Sequence, residues 1–317
     1  MSNDNQNLAQ TNANTRNLWL LFGALVVLLL GAVFRYGPYI LAIAAVAYGI
    51  SLAFEVIISK ARKKPFDPSW MITPLVFTML LPPTAPLWMV GVGSGFGIFF
   101  GKLIFGGYGN NVFNPAAVGA LFLTVSFPVL MATRWYSPVS GWFNPGSEAS
   151  VDAITSATPL IQLNAGTFNS SLVDLLLGGT AGSVGEAFRL GAIILGVALI
   201  VLKVIDWRIP VAILGSFFIF TVVGHLITDR VADPINSLFV GGLLFGAFFM
   251  ATEPVTAPKL AKSKIVYGIG IAFIVFLIRN FGAFPEGVIF AIVIMNAVGT
   301  LLDGWFDKPV LEEEVSA

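Results

Sequence analysis

The sequence predicts an all-α membrane protein of about ten transmembrane helices arranged as two inverted five-helix repeats. Three observations carry that expectation: extreme apolarity, apolar residues gathered into runs, and a proline motif that recurs five runs later. Of the 317 residues, 56% are hydrophobic and 11% are charged, with a mean hydropathy of +0.87. A water-soluble domain carries roughly 25% charged residues, so this chain lacks the polar surface to cover itself in water.

The runs fall near residues 18–34, 39–59, 70–81, 87–105 and 112–132, and after a polar interval near 187–205, 209–228, 236–251, 264–280 and 286–303. A straight helix needs about 20 residues to cross a hydrocarbon layer. Several runs are shorter, and the third and eighth end in proline clusters, which predicts tilted or broken helices. The chain divides into a cytoplasmic tail (1–17), a first five-helix repeat (18–132), an extracytoplasmic loop (133–186), a second repeat (187–303) and a cytoplasmic tail (304–317). The first tail is rich in Asn and Gln and lacks the basic start of a cleaved signal peptide; it is expected to be disordered. The end of the second is acidic.

Basic residues orient the bundle. With the N-terminus in the cytoplasm, the inner side collects Arg16, Lys60, Arg62, Lys63, Lys64, Lys102, Lys203, Arg208, Lys259, Lys262, Lys264 and Lys308. The outer side keeps Arg35, Arg134, Arg189, Arg230 and Arg279. Cationic loops favour the cytoplasm, so the 133–186 loop is expected outside it.

Pro82-Pro83-Thr84-Ala85-Pro86 after the third run matches Pro254-Val255-Thr256-Ala257-Pro258 after the eighth, and Phe113-Asn114-Pro115-Ala116-Ala117 has a weaker echo in Met295-Asn296-Ala297-Val298. Five spans separate the copies. Five is odd, so the copies face opposite ways, and inverted repeats with proline-interrupted segments place sites near the membrane interior.

Composition narrows the chemistry. With no cysteine there is no disulfide, thiolate or cysteine-held iron–sulfur cluster, and a single histidine, His225, excludes a haem with two histidine ligands. A redox role would need an organic cofactor. Zero net charge gives nucleic acid no electrostatic footprint.

The outer loop contains Asp152-Ala153-Ile154-Thr155-Ser156-Ala157-Thr158-Pro159-Leu160. Small residues let a bulky group approach the backbone, and the residue before proline is held extended. Thr155, Ser156 and Thr158 offer hydroxyls with no general base beside them, which argues against a hydrolase nucleophile. A hydroxyl that serves as an attachment point for another enzyme needs no base of its own.

Thr155-Ser156-Ala157-Thr158 resembles the flavinylation motif, [S/T]-G-A-T, of the D subunit of the Rnf complex and the B subunit of the sodium-pumping NADH:quinone oxidoreductase, with Ser156 in place of the commoner glycine. Gly106 to Ala116, Ala251-Thr252-Glu253-Pro254-Val255 and Arg279 to Gly287 resemble three further segments of that family, in order. The chain's length makes it most similar to the Rnf D subunit. The resemblance implies FMN joined through its phosphate to Thr158 by a flavin transferase; Asp152, Thr155, Ser156, Ala157 and Leu160 are then either its neighbours or ordinary loop residues. It also implies a noncovalent riboflavin near the asparagines, toward the cytoplasm. It implies a bacterial cytoplasmic membrane, partner subunits including an extracytoplasmic FMN subunit, and ferredoxin and NAD handled by those partners. The chain itself then carries electrons within a translocase and is not expected to be catalytic alone. The alternatives are the quinone-reductase B subunit and a urea- or ammonium-type channel without a redox role.

Each site has a plain structural reading beside the functional one. Asn110, Asn111 and Asn114 are either a helix N-cap cluster or amides lining the riboflavin pocket with Thr252 and Glu253. Glu253 and Glu286 sit at proline breaks at membrane depth, where acids are costly and are functional or paired. Arg279 is expected either to neutralise Glu286 or to attract the FMN phosphate. Lys102 is expected to snorkel to the inner surface, and Gly91-Val92-Gly93-Ser94-Gly95 to allow close helix packing. Asp174, Glu186 and Asp206 read as boundary charges.

Overall fold

The computed structural model describes residues 2–63, 68–133 and 159–307, and among these it is helical with no strand. In chain order the helices are α1 (Ser2–Tyr36), α2 (Tyr39–Arg62), α3 (Ile72–Leu80), α4 (Leu87–Ile98), α5 (Pro115–Ser126), α6 (Pro128–Thr133), α7 (Pro159–Asn164) and α8 (Leu172–Leu177). They continue with α9 (Arg189–Val201), α10 (Arg208–Ile227), α11 (Pro234–Phe239), α12 (Leu243–Phe245), α13 (Ala261–Phe281) and α14 (Val288–Phe306). Two π-helical segments, Phe99–Leu103 and Gly246–Met250, extend α4 and α12.

Among the described residues five helices are long and apolar enough to cross a membrane: Thr15–Tyr36 within α1, and α2, α10, α13 and α14. Four shorter apolar helices run over Ser69–Leu80, Leu87–Leu103, Pro115–Ser126 and Arg189–Val201. The chain is a multi-pass membrane protein. α1 already starts at Ser2, inside the polar stretch expected to be disordered; extending an existing helix costs far less than nucleating one. The run expected at 112–132 is two helices, because Phe127 leaves helical geometry before Pro128. The run at 236–251 likewise splits, at Val240 and Gly241.

The short helices have chemical causes. α3 stops at Leu80 because Pro82 and Pro83 have no N–H to donate into a further turn. α5 starts at Pro115 at its first position, with the Asn114 side-chain oxygen accepting from the N–H groups of Ala116 and Ala117 at 3.0 and 3.2 Å. At the start of α14 the same task falls to Glu286, which accepts from Gly287 and Val288 at 3.1 and 3.3 Å. Asn296, the sequence echo of Asn114, therefore lies midway along α14 and is not its positional counterpart. It is its partner: the Asn114 backbone N–H donates to Asn296 Oδ1 at 3.0 Å.

The glycine stripe packs helices as expected, on two faces. Gly93 and Gly97 face α5: a Cβ on Gly97 would lie 2.5 Å from the Pro115 carbonyl oxygen, and one on Gly119 equally close to that of Gly93. Gly91 and Gly95 instead meet Ile50 and Phe54 of α2. Because backbone cannot retreat as a side-chain tip does, Gly97→Ala should cost about 1–3 kcal/mol. Thermal unfolding in detergent checks this; an unchanged Tm would show that α4 and α5 separate freely.

Candidate functional site

Three of the short elements share one property: their opposite ends line two different cavities. The first cavity, about 330 Å³, is lined by Thr73 and Val76 of α3, Pro115 and Ala116 of α5, and Phe249 of the second π segment. The second, about 270 Å³, is lined by Leu80 of α3, Thr124 of α5 and Gly242 just before α12. At 1.5 Å per helical residue, Thr124 lies about 12–14 Å along α5 from Pro115 and Ala116.

The first cavity is the more polar of the two, with an apolar wall that carries a cluster of polar side chains. Asn111, Asn114, Lys102, Tyr108, Thr252 and Glu253 line it. Asn114 is fully engaged: its side-chain amide also donates to Met250 O at 3.3 Å, across to the π segment where that helix ends. Asn296 in turn donates to the Tyr267 hydroxyl at 2.8 Å, so a buried chain of polar groups joins α5, α13 and α14. Glu253 accepts from the Thr256 hydroxyl at 2.6 Å, and Lys102 and Asn111 lie close enough to act on its charge. The Thr252 hydroxyl donates to Phe248 O at 2.6 Å. Asn111 differs from the rest: its amide donates to Phe113 O, yet its side-chain oxygen is buried with no hydrogen-bond partner. A buried orphan acceptor costs about 1–3 kcal/mol, so the cavity holds a place for a donor.

The loop before Asn111 needs its glycines. Gly106, Gly107 and Gly109 have φ of 115°, 100° and 91°, a region that side-chain-bearing residues rarely enter. Asn110 closes this turn through its N–H to Gly107 O at 3.2 Å; it is exposed and does not line the cavity. Of the three candidate asparagines, the structure brings together two.

Lys102 is the largest departure from expectation. It does not snorkel: it is 1% exposed and forms a buried ion pair with Glu55 of α2, with its ammonium 5.8 Å from the Tyr108 ring centre. Glu55, the partner of the cavity-lining Lys102, is not among the residues expected from the sequence, although an acid inside an apolar run is itself the signal. The missing clue is its partner, 47 residues away.

The second cavity is mostly apolar, with Glu186 and Glu286 on its wall. Both carboxylates are paired. Arg279 meets Glu286 at 3.0 Å and donates to Ser237 O at 2.9 Å, while Glu286 also takes the Gly242 N–H at 2.9 Å. Gly241, at φ 77°, leaves the room: a Cβ there would sit 2.2 Å from a Glu286 oxygen. Arg189, counted among the outer-surface cations, is instead buried at 1% exposure and pairs with Glu186 at 2.8 Å. Leu160 and Ile161, at the start of α7, also line this cavity. Asp152, Thr155, Ser156, Ala157 and Thr158 lie outside the described residues.

Outside the spans, Asp206 is the titratable group whose setting is clearest. Partial burial pushes its pKa up, but hydrogen bonds from Lys264 and the Arg208 N–H, with their charges, outweigh that and hold it below the usual carboxylate range. Its contacts are thus complete at neutral pH and weaken only as pH falls through that lowered value. His225, at the end of α10, donates through Nδ1 to Val231 O at 2.7 Å, a helix-end contact.

Fold and cavities together define a multi-pass membrane protein with a more polar and a mostly apolar pocket at opposite ends of shared short helices. The chain belongs to the NQR2, RnfD, RnfE family, whose profile matches residues 4–312. It is 36% identical to the D subunit of the ion-translocating oxidoreductase complex of Actinobacillus succinogenes, covering 90% of each chain. It is 36% identical to the D subunit of the proton-translocating ferredoxin:NAD(+) oxidoreductase complex of Clostridium ljungdahlii, over 92% of this chain and 90% of the relative. With the D subunit of the Na(+)-translocating ferredoxin:NAD(+) oxidoreductase complex of Acetobacterium woodii the identity is 38%, over 88% and 85%. These last two relatives are named for different ions.

Proposed function

We propose that the chain is the electron-carrying membrane subunit of a redox-driven, ion-translocating complex of the ferredoxin:NAD type, holding two flavins at different depths. FMN is attached to Thr158, and a noncovalent flavin, riboflavin, occupies the more polar cavity. The observation that carries this is the pair of cavities on opposite ends of α3, α5 and the run formed by α12 with its π-helical extension. Leu160, two positions after Thr158 in the sequence, lines the apolar cavity. Two of the relatives are named as D subunits of ferredoxin:NAD(+) oxidoreductase complexes, which favours ferredoxin and NAD over a quinone as the partners of the whole assembly.

The polar cavity suits a flavin. Its volume falls in the range of small-ligand pockets, and the Asn111 oxygen lacks the donor that a ring imide N–H supplies. Bound flavins supply reversible electron transfer. The chain's residues supply position: Asn114 is locked by four hydrogen bonds, Asn111 selects a donor edge, and Lys102 and Glu253 set the local charge. In the apolar cavity the paired Glu186 and Glu286 hold the wall in shape and keep water-seeking charge off it.

The same reading takes the two proline motifs as inverted counterparts. Pro82–Pro86 follows Leu80 at the Glu286 end, and Pro254 lines the polar cavity at the other. With the N-terminus cytoplasmic in a bacterial inner membrane, the Thr158 loop faces outward, toward an extracytoplasmic FMN subunit, and the polar cavity faces inward.

The test is covalent flavin. Wild-type protein co-expressed with a flavin transferase should give a fluorescent band after denaturing electrophoresis, and Thr158→Val should be dark. A dark wild-type band removes the covalent flavin; a bright variant band moves it to another residue.

A further inference from the structure

A third cavity, of about 570 Å³, lies beside the polar one and shares Val204, Ile205, Thr252 and Pro254 with it. No role in the electron-carrying reading falls to it. Its walls come from the loop joining α9 to α10 and the segment before α13, and they carry Lys203, Arg208, Lys259 and Lys264 against a single acid, Asp206.

That acid is already committed. It pairs with Lys264 at 2.7 Å and Arg208 at 3.2 Å, and it takes the Arg208 N–H at 3.0 Å. The neighbouring Asp303 accepts from the backbone N–H groups of Lys259 and Leu260 at 2.7 and 3.0 Å. Among the described residues Lys203 and Lys259 form no ion pair. Asp206 and Asp303 cap the starts of α10 and α13, so the cavity's positive field comes from its lysine and arginine side chains. The cavity is a concave anion site with a net positive wall.

Its surroundings decide which anion. Strongly exposed apolar side chains alternate with the cations along the same short segments: Val201 is 73% exposed, Trp207 51%, Val211 55% and Ile265 44%. Such residues face hydrocarbon in a spanning helix, and tryptophan concentrates where acyl chains meet headgroups. The ammonium groups therefore sit at headgroup depth, not out in the water where a soluble acidic protein would meet them. We infer that this cavity seats the phosphate headgroup of an anionic membrane phospholipid, with Lys203 and Lys259 as its principal contacts and Trp207 against its upper acyl chain. The inference rests on the chain spanning a bilayer and is independent of the flavins. Basic pockets between helices at a membrane surface are a recognised setting for such headgroups.

The experiment uses the full-length protein purified in detergent and follows thermal unfolding during titration with phosphatidylglycerol, phosphatidylcholine or inorganic phosphate. Phosphatidylglycerol should raise the Tm, and the other two should not. Each lysine near a phosphate contributes about a fivefold gain in affinity, so Lys203→Gln/Lys259→Gln should need about 30-fold more phosphatidylglycerol for half the rise. The single variants, each expected at about fivefold, serve if the double variant does not fold. Lys60→Gln/Arg62→Gln, in the last turn of α2 and outside this cavity's wall, should titrate as wild type. An unchanged midpoint in the cavity variants, an equal loss in the α2 variant, or an equal rise with phosphatidylcholine would overturn the lipid site. An equal rise with inorganic phosphate would assign a free anion instead, and that also overturns it.

Discussion

Lys102→Met should destabilise the protein by about 3–5 kcal/mol, and Lys102→Met combined with Glu55→Leu should recover most of that loss. The reasoning starts from burial: Lys102 and Glu55 are 1% and 6% exposed and paired. Removing one partner leaves the other charged, desolvated and alone, which is the costly state; removing both leaves two well-packed apolar side chains of similar size. Thermal unfolding of the two variants in detergent reads this directly. If the single variant were as stable as wild type, the pair would have to be open to water or to a further cation. If the double variant were no better than the single one, Lys102 would matter for the polar cavity it lines more than for Glu55. A loss of bound flavin in the double variant, with stability restored, would separate the two roles.

Asn111→Leu should empty the polar cavity while leaving the fold and the Thr158 attachment intact. The variant removes an orphan acceptor, so the folded protein loses no hydrogen bond from that oxygen, whereas a bound flavin loses its partner. One such bond is worth about 1–3 kcal/mol, or roughly 5- to 150-fold in affinity, and the apolar branch adds bulk inside a 330 Å³ space. Titration of the apoprotein with riboflavin, followed by flavin fluorescence quenching, checks the affinity. Wild-type affinity in the variant would mean that the Asn111 oxygen faces no ligand.

Much of this is legible in the residues. Apolar runs mark the long spanning helices and most of the short ones, because the bilayer sets the length and apolarity of a spanning helix. Asn114-Pro115 reads as a cap and a first helical residue, and the structure has both. Glu286 reads as paired with Arg279, and it is. What the sequence hides is long-range partnership. Lys102 and Arg189 look like surface cations because the acids that bury them, Glu55 and Glu186, are recognised only once α2 and α9 are packed. Asn296 looks like a repeat of Asn114 and in fact hydrogen-bonds it, since local similarity cannot distinguish symmetry from contact. Asn110 looks equal to Asn111, yet one residue of turn geometry puts the first in solvent and the second in the cavity. The two cavities themselves are not visible in the sequence. They arise where three short elements end, and the length of a run does not say which neighbour covers its end.

The central claim is that one chain holds two flavins in separate places. The most direct measurement is acid precipitation of protein purified after co-expression with a flavin transferase, with flavin assayed in pellet and supernatant. Wild type should yield one flavin in each fraction; Thr158→Val should lose the pellet flavin alone, and Asn111→Leu the supernatant flavin alone. Flavin in one fraction only, or both fractions emptied by either substitution, would contradict two independent sites.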